Sequence, residues 1–242
     1  MIPKITIITV CYNSEETILK TLRSVALQQY DNLEYIIVDG KSSDHTIEII
    51  EEFKDRTGLP QIFISEKDEG IYDAMNKGIK MATGDIVCML NSDDWLETNA
   101  LKIIADYYDE NVEAVIYGLE RRIKNNKEEM VGFHSHNFIK EGNIPHQTCY
   151  VPLSCYHKYG LYNTKYKSAA DYDMMLRLSE NGVQFKPLYH ILANFSEGGI
   201  SAGAIGYIEE AKIKYSHNII TKKKYCYLIL RANFLRIIGQ LT

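Results

Sequence analysis

The stretch Ile71 to Asp94, I-Y-D-A-M-N-K-G-I-K-M-A-T-G-D-I-V-C-M-L-N-S-D-D, reads as a helix over Ile71 to Met81 followed by a strand over Asp85 to Leu90. The strand ends on two adjacent carboxylates, Asp93 and Asp94. One Asp or Gly is enough to begin a turn. Two negative charges straight after a buried run therefore leave two readings: a turn that caps the next helix, or a site that needs a cation.

The same alternation recurs on both sides. Lys4 to Val10 is β-branched and mostly apolar, as expected of a strand covered on both faces. Asn13, with Glu16 three residues on, forms a capping arrangement ahead of Ile18, Leu22 and Val25, which share one helix face. Leu33 to Val38 is a strand, and a helix from Asp44 turns Ile47, Ile50 and Phe53 inward. Gln61 to Ile64 is a strand, Thr98 caps a helix carrying Leu101, Ile104 and Tyr108, and Ala114 to Tyr117 is a further strand. Strand then helix, repeated, predicts an α/β domain with a mostly parallel sheet and helices on both faces. Ligands of such sheets lie beyond the carboxyl ends of the strands. Those ends carry Cys11-Tyr12-Asn13, Asp39-Gly40-Lys41-Ser42, Glu66-Lys67-Asp68 and Asn91-Ser92-Asp93-Asp94. Taken singly, each acid is a common loop residue or cap; acids after three successive strands converge on one edge.

Composition narrows what that edge binds. With 242 residues, 45% hydrophobic, the chain can bury one large core with a modest appendage. A net charge of −5 and the absence of a basic stripe in the first two thirds argue against nucleic acid. Five scattered cysteines without a C-x-x-C pair suggest neither a disulfide framework nor a zinc site, and fit a reducing, cytoplasmic setting. The N-terminus lacks a signal peptide's order and reads as a strand, and no window reaches the roughly 18 apolar residues of a spanning helix. An acidic edge repels bare phosphate, so a diphosphate ligand needs a divalent cation beside it. Mg²⁺ and Mn²⁺ take one or two carboxylates plus phosphate oxygens. Neither G-x-x-x-x-G-K-[ST] nor G-x-G-x-x-G follows the first strand, which weakens ATPase and nicotinamide-cofactor readings.

The runs I-T-V-C-Y-N, I-I-V-D-G-K-S-S-D-H-T and Asp68 to Trp95 resemble the inverting nucleotide-sugar glycosyltransferases of the large second family, which have the GT-A fold. The resemblance covers about the first half of the chain. It implies that Cys11, Tyr12 and Asn13 line the nucleoside pocket, that Asp39 hydrogen-bonds the uracil or ribose, and that Asp68 and Gly70 lie beside the base. Asn76 and Gly78 match the helix that closes over the nucleotide. Asn91-Ser92-Asp93 occupies the place of the D-x-D metal motif: Ser92 falls on the donor side and Asp93 matches the usual ligand of Mn²⁺ or Mg²⁺, with Asp94 hydrogen-bonding or capping. Asn91 departs from that motif, which weakens the case for tight metal dependence.

In the second half, Arg121 to Met130 reads as an exposed hairpin or loop leading from a donor half, 1–120, into an acceptor and catalytic-base half, 121–206. His146 and Gln147, in P-H-Q-T, match a segment that leads into the family's acceptor site, although a lone His in such a place is more often a core residue. In S-A-A-D-Y-D-M-M-L-R-L the methionines and leucines have core spacing, and Asp171 fits a helix cap. The segment also resembles the family's E-D-x-D-x-x-x-R-L block, which makes Asp171 the catalytic base, Asp173 the fallback and Arg177 a charge-paired anchor. The Glu before the base is Ala170 here, so its support is absent. On composition Asn194 to Ser201, with Gly198-Gly199, is a hinge-like loop; the resemblance implies that it lies at the site mouth and that His190 is a further candidate for the metal or diphosphate.

A helical extension, 207–242, ends the chain, with Tyr227, Leu230, Phe234, Ile237 and Leu241 on one face and Lys224, Arg231 and Arg236 away from its centre. It either packs on the domain or lies on the anionic inner face of a membrane, where a polyprenyl-diphosphate-linked saccharide would be the acceptor. The expected activity is transfer of a sugar, from a uridine donor, to a glycan or lipid-linked acceptor. A non-catalytic nucleotide or carbohydrate binding module of the same fold and a sugar nucleotidyltransferase are the alternatives.

Overall fold

A computed structural model describes residues 2–125, 127–196 and 204–237. The donor half alternates as expected: β1 (Ile5–Cys11), α1 (Ile18–Ala26), β2 (Leu33–Asp39), α2 (Thr46–Thr57), β3 (Ile62–Ser65), α3 (Ile71–Met81) and β4 (Ile86–Met89). There follow β5 (Trp95–Leu96), α4 (Ala100–Tyr107), a long β6 (Ala114–Lys124) and its hairpin partner β7 (Lys127–Gly132). The chain then runs through β8 (Cys149–Pro152), α5 (Leu153–Tyr159), α6 (Ala170–Glu180), β9 (Gln184–Ser196), α7 (Ala204–Ser216) and α8 (Lys222–Ile237).

Among the described residues these strands form one sheet in the order β3-β2-β1-β4-β8-β6-β9-β5, with β7 on β6. β1 pairs in parallel with β2 and β4, and β2 with β3. Past β4 the sheet turns antiparallel at β8, recovers its direction at β6 and β9, and ends on an antiparallel β5. The sheet is thus mostly parallel, with β8, β5 and β7 reversed. Chain order reverses between β1 and β4, and this opens a crevice beyond their carboxyl ends.

Each buried strand feeds two cores by its alternation. Ile8, Val10, Ile36, Val38, Val87 and Met89 face Tyr72, Met75 and Ile79 of α3 and Met174 and Leu178 of α6. Ile5, Ile7, Tyr35, Ile37 and Cys88 face Leu22 and Val25 of α1, Ile50 of α2 and Leu101 of α4. Gly78 sits where α3 lies against β1, and a Cβ there would collide with Ile8. All five cysteines are free thiols.

Two expected caps are not formed. α1 starts at Ile18, after Thr17; Asn13 is left-handed, and its Oδ1 accepts the Ser43 amide at 2.9 Å instead. α4 is preceded not by Thr98 but by Asn99, whose φ of 61° is a conformation Asn tolerates well. Of Arg121 to Met130, the described residues 121–124 and 127–130 pair as the β6–β7 hairpin.

Candidate active site

A cavity of about 1270 Å³ opens beyond β1 and β4 and is lined by both halves of the chain. Cys11, Tyr12 and Asn13 reach it from the end of β1, and Ser92 and Asp93 from the end of β4. The two ends touch through Ser14 Oγ and Ser92 Oγ, 2.8 Å apart. Asp68 and Gly70 line it from the start of α3, where the Gly70 amide donates to Asp68 Oδ1 at 2.9 Å. Gly70 has φ 124°, so a side chain there would be strained. Gly40 keeps a slot open, since a Cβ would stand 2.6 Å from Asp68 Oδ2 and 3.4 Å from the ring of Tyr12. That ring is 63% exposed, a flat apolar face beside a carboxylate.

On the opposite wall stand Asn143, His146, Gln147 and Asp171. Asp171 lies in the first turn of α6, inside the helix and not at its cap. Its Oδ1 accepts the Tyr72 hydroxyl at 3.0 Å and its Oδ2 the Asn143 amide at 2.7 Å, with His146 Nδ1 3.4 Å away. Burial pushes its pKa up, but the hydrogen bond and charge of His146 and the Tyr72 hydroxyl outweigh that and hold it below the ordinary carboxylate range. Asp171 is therefore ionised at neutral pH and able to take a proton. Burial works against a charged His146, yet Asp171, with the charges of Asp94 and Asp93, raises its pKa. Its Nε2 stands 3.2 Å from Asn91 Nδ2, so contacts run from Asp171 through His146 to the end of β4. Gln147 Nε2 donates to the buried Glu120, which also accepts Arg122 Nε at 2.6 Å. Glu120 and Arg122 thereby reach the cavity from β6.

Charge in the cavity is lopsided: Glu15, Glu16, Asp44, Asp68, Asp93, Glu120, Asp171 and Glu210 face Arg122 and Lys167. No group of three His, Cys, Asp or Glu side chains converges to hold a metal unaided among the described residues. Two oxygen donors nevertheless fit a hard divalent cation. Asp93 is partly buried, and burial raises its pKa, with its own backbone and His146 opposing. Asn91 Oδ1 is buried without a hydrogen-bond partner. One carboxylate and one carbonyl oxygen beside an open cavity suit a cation completed by phosphate and water. Asp94 has a different part. Fully buried, it receives the Ser196 amide at 3.1 Å, and burial together with the Asp93 charge pushes its pKa up to about 8.

Four other candidates do not reach the cavity. Asp39 is fully buried, its oxygens taken by Ser65 Oγ at 2.6 Å, the Ser42 amide at 2.9 Å and the Ser42 hydroxyl. Asn76 exchanges two 2.9 Å hydrogen bonds with the backbone of Tyr162, clasping α3 to the segment before α6. Asp173 bonds Arg177 Nε at 3.0 Å and His217 Nε2 at 3.1 Å, while Arg177 also donates to the Tyr159 and Leu161 carbonyls. His190 is exposed on β9. Glu197 to Ser201 of the hinge-like loop, and Leu241 of the tail, lie outside the described residues. Sequence reading missed Tyr72, Asn143, Lys167 and Arg122, and from α7 Gly206, Tyr207 and Glu210, all of which line the cavity. An Asn or Lys in an irregular segment has no periodic signature.

The family model described as Glycosyl transferase family 2 matches residues 6–167. A PGL/p-HBAD biosynthesis glycosyltransferase of Mycobacterium tuberculosis is 30% identical over 203 residues, covering 82% of this chain and 79% of the relative. A chondroitin synthase of Escherichia coli is 28% identical over 197 residues, 78% of this chain and 28% of that protein. In fold, the chain is similar to S. aureus TarS 1-349 in complex with UDP-GlcNAc, with a TM-score of 0.72 and 19% identity over 93% of this chain and 69% of that one. It is also similar to mannosyltransferase PcManGT from Pyrobaculum calidifontis in complex with GDP-Man and Mn²⁺, with a TM-score of 0.66 and 17% identity over 89% and 63%.

Proposed function

Because the chain belongs to glycosyl transferase family 2, we propose that this cavity binds a nucleotide-diphosphate sugar, a uridine one, and that Asp171 is the base for inverting transfer to a glycan or lipid-linked saccharide. The observation that carries the reading is Asp171, held by Tyr72, Asn143 and His146, in the same cavity as Asp93. The base stacks in the slot between Tyr12 and Asp68, with the backbone of Cys11 and Asn13 behind it, and Ser92 lies towards the ribose and phosphates. Arg122 and Lys167 meet the diphosphate from the acceptor side, and His146 and Gln147 keep their wall in place. Residues 1–120 serve the donor and 121–206 the acceptor, and the extension 207–242 begins within α7, the helix that adds Gly206, Tyr207 and Glu210 to the cavity.

The reaction is a single displacement. The acceptor hydroxyl oxygen bonds to the anomeric carbon as the bond from that carbon to the diphosphate breaks, and the hydroxyl proton passes to Asp171. Mn²⁺ or Mg²⁺, held by Asp93 and Asn91 Oδ1, would supply Lewis-acid relief of the charge on the departing nucleoside diphosphate. His190, exposed on β9 outside the cavity, takes no part at that end, and Asp173 is spent on Arg177 and His217 and serves α6 rather than the acceptor. The acceptor is reached at the cytoplasmic face of the membrane. No helix among the described residues is long and apolar enough to cross it, but α8 leaves Tyr227, Leu230 and Phe234 55%, 70% and 59% exposed beside exposed Lys223, Lys224 and Arg231.

The test is release of nucleoside diphosphate from a panel of nucleotide sugars with Mn²⁺, Mg²⁺ or chelator, on the wild type and Asp93→Ala. Release from a uridine donor should fall about 100-fold with chelator and by a similar factor in the variant. If uridine diphosphate binds with metal but no donor is consumed, even with mixed lipid-linked acceptors, the chain is a binding module and the proposal is wrong.

A further inference from the structure

We infer that Glu209 is a positioning residue for the catalytic base and that α7 is a working part of the site; the inference rests on Asp171 being that base. Glu209 is only 6% exposed. A carboxylate so placed persists only where its oxygens are satisfied. Oε1 accepts the Lys167 amide at 2.8 Å, and Oε2 accepts those of Lys167 at 3.0 Å, Ser168 at 2.8 Å and Ala169 at 3.2 Å. These amides lead directly into α6. A helix start leaves its first N–H groups without intrahelical partners and favours negative charge. Ala169, the residue before the helix, has no side-chain acceptor of its own, and the amides of the three residues that precede Ala170 all turn to Glu209. The carboxylate that holds the entry to α6 therefore comes from another helix, and Asp171 stands in the first turn of the helix so held.

α7 touches both the machinery and the cavity. Gly206, Tyr207 and Glu210 line the cavity, while Glu209, between them in sequence, grips the entry to α6. Beyond the end of α7, His217 bonds Asp173 and Glu180, so α6 is held at a second place as well. Loss of Glu209 alone should thus loosen the turn that aims Asp171 without detaching α7. Reacting groups displaced by about 1 Å can cost on the order of 100-fold in rate.

The experiment compares Glu209→Gln, which keeps the shape and loses the charge, with Glu209→Asp, which keeps the charge and falls one methylene short, in the full chain. With the donor that turns over best, kcat should drop about 10- to 100-fold in both, a larger change than that in donor KM or uridine diphosphate affinity, which Glu209 reaches only through Lys167, and thermal unfolding should stay cooperative. Amide exchange at Lys167 to Ala169 should quicken. The double variant Asp171→Asn/Glu209→Gln should be no slower than Asp171→Asn, because both changes act through one group. If Glu209→Gln does not fold, Glu209→Asp carries the same comparison. A kcat within twofold of the wild type, or a loss that multiplies in full with that of Asp171→Asn, overturns the inference and leaves the base assignment standing. Wild-type turnover in Asp171→Asn instead overturns the base assignment, and this inference with it.

Discussion

Cys11, Asn13 and Asp93 reach the cavity from the ends of adjacent parallel strands, whereas Asn143, His146 and Asp171 reach it from a loop, a short turn and the start of a helix. The first group is placed by the sheet: β1 and β4 are in fixed register, and the residues just beyond them must emerge side by side. The second is placed by hydrogen bonds between distant segments, Tyr72 to Asp171 and Asn143 to Asp171 among them. One wall inherits its geometry from backbone pairing and the other assembles it from side chains. Substitutions on the two walls should therefore fail differently.

The largest effect tests the assembled wall. Asp171→Asn should lower kcat by about 1000-fold, within the range of general-base catalysis, with uridine diphosphate affinity by calorimetry unchanged within twofold; an equal loss of affinity would show that the walls are not separable. Next comes the far end of the inherited wall. Glu34 accepts Lys4 Nζ at 2.7 Å, Thr83 Oγ1 at 2.6 Å and Thr6 Oγ1 at 2.8 Å near the strand starts. Burial raises its pKa, but those bonds and the Thr83 amide outweigh burial and lower it to about 2. The stabilisation is present above the ordinary carboxylate pKa and disappears as pH falls through about 2. Glu34→Gln should therefore cost about 2 kcal/mol at pH 7 in chemical denaturation, and the gap should narrow as pH drops below about 4. Catalysis per folded molecule should not change. The smallest effect concerns neither wall: Leu230→Asp with Phe234→Asp should weaken sedimentation with anionic phospholipid vesicles about 5- to 10-fold and leave turnover on a water-soluble acceptor untouched. Undiminished vesicle binding would place any membrane contact elsewhere.

The same division explains why one wall is legible in the sequence and the other is not. Apolar runs closed by acids mark strand ends directly, so the parallel half and α3 are legible almost to the residue, as is the strand edge that lines the cavity. The reversal at β8 is not, because β4 meets a strand far along the chain and nothing local records that pairing. A carboxylate at a strand end looks alike whether it faces a ligand or is spent on neighbours; Asp39 is spent on Ser42 and Ser65. Asn76 is likewise given to Tyr162. The spacing in the tail predicts a helix with one apolar face. It has two: Tyr225, Leu228, Ile229, Ala232 and Leu235 are the more covered side, and Tyr227, Leu230 and Phe234 are left outside.

Beside that outer face lies Cys226, exposed, while Cys11, Cys88, Cys149 and Cys155 are buried. Burial pushes all four of those thiols up, away from the reactive thiolate form. The natural sequence thus carries a built-in attachment point for a fluorophore or spin label, one that would report on α8 without a single cysteine having to be engineered in or out.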